Sequence, residues 1–122
     1  LPPSSAASDV YKRQIKMHLG IVITSNHPET VWNAFRLADF SLSKGDKTSV
    51  FLMANGVEAD SLNSEKFNIT NQMESFISNN GELYACGTCI NYRNKNSSEL
   101  CPISSMADLY EIIYNADKLI SF

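Results

Sequence analysis

Two cysteines separated by two residues form the part of this sequence with the clearest potential for chemistry. The segment Glu82 to Arg93 reads Glu-Leu-Tyr-Ala-Cys-Gly-Thr-Cys-Ile-Asn-Tyr-Arg, so a short apolar run ends at Cys86 and a second thiol follows at Cys89. A thiolate is the nucleophilic form of cysteine, and the unpaired amides at the start of a helical turn favour it. We therefore predict that Cys86 is exposed, ionised and reactive, and that Cys89 can release or resolve a group bound to it.

The residues that follow Cys86 extend this candidate site. Gly87 is predicted to permit the backbone turn at the end of the strand, and Thr88 lies next to it. Arg93 lies nearly two helical turns beyond Cys86 if this segment is helical, so its charge is expected to stabilise a thiolate or an anionic sulfur species. We treat Gly87, Thr88 and Arg93 as candidate substrate-binding residues.

The chain contains three cysteines, an odd number that does not suit a framework of disulfides. Reduced thiols are the better interpretation, with Cys101, before Pro102, as a third candidate for chemistry. Two alternatives to a sulfur site stay open. Cys86 and Cys89 are spaced as in dithiol redox proteins, and three thiolates together with His27 would make a plausible set of metal ligands.

Composition excludes several other functions. The 122 residues are 43% hydrophobic and carry a formal net charge of −3 without a basic cluster, which argues against direct nucleic-acid binding. The longest apolar runs are too short to span a membrane, so a cytoplasmic location is expected by default. The loop Ser25-Asn26-His27-Pro28 lacks the glycine-rich cradle of a nucleotide site, and we predict no cofactor.

Strand and helix patterns alternate along the chain. Continuous apolar runs predict buried parallel strands, and apolar residues at helical spacing predict helices with one buried face. This order predicts an α/β protein with a flavodoxin-like, open, mainly parallel sheet and helices on both faces. The predicted elements are strands at His18–Thr24, Ser49–Met53, Leu83–Ala85 and Lys118–Phe122, and helices starting at Pro28, near Ile69 and after Ser105, the last with a core face of Leu109, Ile112, Ile113 and Ala116.

In such a sheet the carboxyl ends of the strands meet at one edge, where ligands usually bind. The loops over residues 25–27, 55–58 and 86–89 each follow a predicted strand and should therefore be neighbours. They add three candidate substrate-binding residues, which are Asn26, His27 and Gly56.

Residues 1–14 have neither helical nor strand periodicity and are rich in Ser, Pro and Ala. The chain begins without Met, and a plausible native start lies near Ile15 to Met17. We interpret residues 1–14 as a non-native, disordered leader and expect residues 15–122 to form a single domain.

Several segments together resemble the DsrE family of sulfur-relay proteins (DsrE/DsrF/TusD-like). They are Tyr84–Arg93, Cys101–Leu109, the ending Ala116–Phe122 and the loop Asn55–Ala59, and the likeness extends over Met17 to Phe122. The resemblance implies a small α/β sulfurtransferase-like carrier that holds sulfane sulfur as a cysteine persulfide. It also implies trimers or hexamers, built alone or with sister subunits, and donor and acceptor proteins as partners.

By position, the sulfur-accepting cysteine of the family corresponds to Cys86. TusD-like members have other residues at the positions of Cys89 and Cys101, so this chain resembles a three-cysteine variant. That departure leaves room for a disulfide cycle between Cys86 and Cys89 and for a bound metal.

Overall fold

The computed structural model of the chain describes residues 16–93 and 103–122. The predicted leader, residues 1–14, and the candidate Cys101 lie outside the described residues. Strands and helices alternate through the described part, and the elements are β1 His18–Ile23, α1 Pro28–Ser43, β2 Lys47–Leu52, a 3₁₀ helix Ala54–Ser61, α2 Ile69–Ser78, β3 Glu82–Cys86, α3 Gly87–Tyr92, β4 Ile103–Ser104, α4 Met106–Asn115 and β5 Lys118–Ser121.

The five strands form one sheet in the order β4-β3-β2-β1-β5, and every pairing is parallel. This open parallel sheet confirms the predicted fold class. Its strand order differs from the flavodoxin order 2-1-3-4-5, because β1 here pairs with β2 and β5 and is second from one edge.

Helices cover both faces of the sheet, as predicted. α1 and α2 pack together on one face, and α1 also contacts β1 and β2. α4 connects β4 at one edge to β5 at the other, and it contacts β1 on the opposite face, where Gly20 leaves room for Ile112 and Ala116. Within residues 16–93 and 103–122 no helix combines the length and the apolar character needed to cross a membrane.

The helix signals in the sequence are confirmed at both ends of α1 and at the start of α4. Pro28 opens α1, and Gly45 follows its end with φ of +88°, a left-handed conformation that glycine adopts at little cost. At α4, the Ser105 backbone N–H donates to Asp108 Oδ2 at 2.9 Å, which forms the predicted capping box with Asp in place of Glu.

One part of the predicted core is wrong. Ile112 of α4 is buried, but Ile113, which we expected beside it, is 48% exposed. All four residues of β5 are exposed as well, because β5 is an edge strand with no neighbour on one side in the described sheet. A single copy of the chain therefore leaves much of the apolar surface of α4 and β5 uncovered.

The segment predicted as a loop after β2 is instead a 3₁₀ helix that packs on the end of β1. Gly56 is buried there, and a Cβ atom at this position would lie 2.0 Å from the Ile23 carbonyl oxygen. Ala54, at the start of the same helix, has φ of +51°, which is unusual for a residue with a side chain. The close approach at Gly56 thus determines where the 3₁₀ helix sits.

Gly56→Ala is expected to lower the free energy of unfolding by at least about 2 kcal/mol, because the new methyl group overlaps backbone atoms that cannot move aside cheaply. Urea unfolding followed by circular dichroism measures the change. Ala54→Gly is the matched control in the same helix, and it should leave stability unchanged or raise it by up to about 1 kcal/mol. Equal stability of Gly56→Ala and the parent protein would contradict the packing described here.

Candidate functional site

Cys86 ends β3, as predicted, but it is not exposed. Its accessible fraction is 4%, and it belongs to the hydrophobic core together with Ile90. β4, a strand that the sequence did not predict, also extends the sheet beyond β3 and pairs Ser104 with Cys86 on the side away from β2. The expectation of a thiol open to solvent at the edge of the sheet is therefore wrong for Cys86.

The expected stabilisation of a Cys86 thiolate by helix amides is not observed either. Cys86 is the N-cap of α3, but its side chain makes no capping hydrogen bond. Gly87 has no positive φ, so it is not needed for a special turn. A Cβ at Gly87 would lie 2.7 Å from Ile103 Cγ2, so the glycine instead provides room for β4 beside β3.

Cys89, one helical turn further, is the more accessible of the two thiols. It is partly exposed, both residues are free thiols, and Cys86 is near enough to raise its pKa. The Ala54 backbone N–H donates to Cys89 Sγ at 3.2 Å. The left-handed backbone of Ala54 belongs to the same turn that presents this N–H to the sulfur.

Arg93 connects α3 to the 3₁₀ helix. Its Nε donates to Glu58 Oε2 at 2.8 Å in a half-buried ion pair, and its Nη2 donates to Asn55 Oδ1 at 2.7 Å. Its Nη1 donates to the Cys89 carbonyl oxygen at 3.2 Å. The guanidinium thus fixes the backbone of Cys89 relative to the segment that carries the Ala54 N–H.

The surroundings of Cys89 act on its acidity in opposite directions. Burial raises the pKa of the Cys89 thiol above its ordinary value, and the hydrogen bond and charge of Cys86 raise it further. The Ala54 N–H and the positive charge of Arg93 lower the same pKa. Burial dominates in the isolated chain, so Cys89 is a neutral thiol at pH 7 with stabilising groups already in place for an anion.

The remaining predicted residues are only partly brought together. Asn26 lies at the same edge, with Nδ2 3.5 Å from Glu58 Oε1. His27 is exposed and its ring lies 3.5 Å from the Thr30 hydroxyl, a contact within its own helix start. Thr88 is exposed on α3, whereas Gly56 is buried and packs on β1, so Gly56 offers no open surface to a substrate.

A metal site was an open alternative. Among residues 16–93 and 103–122, no group of three or more His, Cys, Asp or Glu side chains lies close enough to hold a metal ion. Within that part the ligand set that we considered is represented by Cys86, Cys89 and His27, and the His27 ring hydrogen-bonds Thr30.

Sequence reasoning missed three groups at this edge. Glu58 and Asn55 hold Arg93, and the Ala54 N–H contacts Cys89. The loop over residues 55–58 was expected near the cysteines, but no motif identifies these partners. A lone Glu and a backbone N–H acquire their roles only through the packing of the 3₁₀ helix.

A second polar cluster lies at the opposite, amino-terminal edge of the sheet under α4, beside a cavity of about 150 Å³. Ser49 is fully buried and donates to Glu82 Oε1 at 2.7 Å, and the His18 Nε2 lies 3.0 Å from the same hydroxyl. The serine stands between the imidazole and the carboxylate. A hydrolytic triad needs an accessible serine and a carboxylate that orients the imidazole, so this cluster satisfies buried groups and is not such a triad.

A five-stranded parallel sheet with two free thiols three residues apart at its carboxyl edge defines a small α/β protein with a cysteine site. The family model for the DsrE/DsrF-like family matches residues 17–122. The chain belongs to this family, which confirms the resemblance noted from the sequence.

Solved structures support the same fold. The crystal structure of the YchN protein from E. coli aligns with a TM-score of 0.76 and 21% identity, covering 88% of this chain and 100% of that one. BT1422, a conserved protein of unknown function from Bacteroides thetaiotaomicron, aligns with a TM-score of 0.70 and 18% identity, covering 86% and 94%. No curated protein sequence matches the chain significantly.

Arg93→Gln is expected to raise the pKa of Cys89, because it removes a positive charge that favours the thiolate. Alkylation of Cys89 at pH 7 should then slow several-fold, and its pH profile should move to higher pH. Cys86→Ala should move the profile the other way, because it removes two contributions that raise this pKa. Site-resolved mass spectrometry of iodoacetamide labelling against pH measures both shifts.

Arg93→Lys serves as the control, since it keeps the charge and loses the fork of hydrogen bonds. It should retain more of the rate at pH 7 than Arg93→Gln does. If Arg93→Gln, Cys86→Ala and the parent protein share one pH profile, neither Arg93 nor Cys86 influences the Cys89 sulfur.

Proposed function

We propose that this chain is a sulfur carrier, which accepts sulfane sulfur as a persulfide on Cys86 and passes it on. The observation that carries the proposal is the placement of Cys86 and Cys89 three residues apart where β3 ends and α3 begins. Membership of the DsrE/DsrF-like family supports a role related to sulfur relay. The site combines two thiols with one hydrogen-bond donor and one cation beside them.

The surroundings of Cys86 suit storage of a persulfide. Its burial among apolar side chains keeps water and oxidants away from a sulfur that would otherwise be lost or oxidised further. Cys89, one helical turn further along, is a second thiol that can attack the persulfide and take over its outer sulfur. Cys86 thus holds the sulfur and Cys89 is needed to move it.

Exposure of the purified protein to glutathione persulfide should add one sulfur atom to Cys86, detected by mass spectrometry of the peptide that carries it. A protein in which all three cysteines are replaced by Ser is the control and should take up none. The proposal is wrong if the Cys86 peptide of the intact protein gains no sulfur under conditions where the donor modifies a model thiol.

A dithiol redox protein is the second candidate, and the same placement of the two cysteines favours it. Cys86 occupies the N-cap of α3 and Cys89 the third helical position, the spacing typical of redox-active cysteine pairs. Formation of a Cys86–Cys89 disulfide with a defined reduction potential, together with no uptake of sulfur from a persulfide, would favour this function over sulfur transfer.

The apolar surface of α4 and β5 supports assembly into a homo-oligomer, such as the trimers or hexamers implied by the family resemblance. We define the α4–β5 surface by Tyr110, Ile113, Tyr114 and Leu119, whose exposed fractions are 67%, 48%, 78% and 47%. The rings of Tyr110 and Tyr114 stack with centroids 6.3 Å apart. A contiguous apolar patch next to an open edge strand is a surface that another copy of the chain can cover.

Analytical ultracentrifugation of the parent protein should show an oligomer. Ile113→Asp combined with Tyr114→Asp should shift it to monomer, because the two charges would be buried without partners. Asn71→Asp, exposed on α2 at the other face, is the control and should not change the mass. A monomeric parent protein would contradict assembly of identical copies and would leave sister subunits as the occupants of this surface.

A further inference from the structure

The two thiols of the pair differ in their access to a partner molecule. Cys86 is 4% exposed, whereas Cys89 is partly exposed on the side of α3 that faces the 3₁₀ helix. A donor persulfide must approach a thiol with its own sulfur atoms in line, so a buried thiol cannot meet a donor unless the structure opens. Among residues 16–93 and 103–122, Cys89 is therefore the thiol that an incoming sulfur can reach.

Two groups beside Cys89 favour an anionic sulfur, against the burial that raises its pKa overall. The Ala54 N–H points at Cys89 Sγ from 3.2 Å, and the Arg93 charge favours the anion. Arg93 was a candidate from the sequence, whereas Ala54 contributes only its backbone N–H and has no sequence signal. Glu58 and Asn55 act through Arg93, because their contacts of 2.8 Å and 2.7 Å hold its guanidinium in place.

We infer that Cys89 is the entry thiol of the relay and that Cys86 receives sulfur only from Cys89. The inference rests on the proposed sulfur-carrier function and assigns the order in which the two cysteines act. Arg93 is then a positioning residue. It holds the Cys89 backbone beside the segment that carries the Ala54 N–H, and Glu58 and Asn55 support it.

The chemistry balances without any further reactant. The Cys89 thiolate attacks the outer sulfur of a donor persulfide, so a bond forms to Cys89, the donor S–S bond breaks, and the donor leaves as its thiol after taking up the proton that Cys89 lost. Cys86 then attacks the outer sulfur of the Cys89 persulfide, which transfers that sulfur to Cys86 and returns Cys89 to a thiol. Attack on the inner sulfur instead gives a Cys86–Cys89 disulfide and releases hydrogen sulfide.

Proteins with one thiol each test this order. Cys86→Ala with Cys101→Ala leaves Cys89 alone, and Cys89→Ala with Cys101→Ala leaves Cys86 alone. With glutathione persulfide as donor, the Cys89-only protein should take up sulfur at nearly the parent rate. The Cys86-only protein should be at least about tenfold slower, because its reaction waits for a local opening.

Further measurements separate the burial of Cys86 from other causes of its slower reaction. In urea, where both variants are unfolded, the two thiols should react at similar rates, which shows that the difference belongs to the folded state. In the parent protein, rapid quenching followed by peptide mass spectrometry should find sulfur on Cys89 before it appears on Cys86. Arg93→Gln should slow the first step more than the second, with Arg93→Lys less affected.

The outcomes distinguish the entry role of Cys89 from the sulfur-carrier function itself. A Cys86-only protein that takes up sulfur as fast as the parent, or sulfur that appears on Cys86 first, overturns the entry role of Cys89 and leaves the carrier function intact. If neither Cys86 nor Cys89 of the parent protein takes up sulfur, the proposed function itself is overturned.

Discussion

The ion pair between Arg93 and Glu58 connects the two segments on which the cysteine site depends. One segment, α3, carries Cys89, and the other, the 3₁₀ helix, carries the Ala54 N–H that contacts its sulfur. Both partners are half-buried, so solvent screens the pair less than it would at the surface, and two further N–H groups of the guanidinium donate to Cys89 O and Asn55 Oδ1. The pair contributes less as a source of stability than as a geometric constraint, because it keeps a donor and a charge beside one thiol.

The fold was predictable from the sequence because its signals are local. The apolar run of β1, the proline that opens α1 and the capping box of α4 each depend on residues a few positions apart, and all three are confirmed. The strand order was harder to predict, because it depends on which edge of the sheet each connection between strands reaches. The position of Cys86 at the end of β3 was likewise correct, since the apolar run and the following glycine mark that end.

The environment of the thiols could not be predicted, because it depends on contacts between distant segments. The two residues of β4 are too few to form a pattern, yet they pair with Ala85 and Cys86 in the sheet. Ile113 has the spacing of a core residue, but it is exposed among residues 16–93 and 103–122, so periodicity predicts an apolar face without saying what packs on it. The 3₁₀ helix has no apolar period, and its place is set by the contact of Gly56 with the end of β1.

The shortness of β4 affects how often this strand separates from β3. A strand of two residues at the rim of a sheet, joined only to Ala85 and Cys86, is held by few hydrogen bonds and carries an exposed Ile103. Elements of this kind fray at a lower free energy than the interior strands, which separate only when the whole domain unfolds. The edge of β3 beyond Ala85 and Cys86 would then become available for pairing far more often than the interior of the sheet.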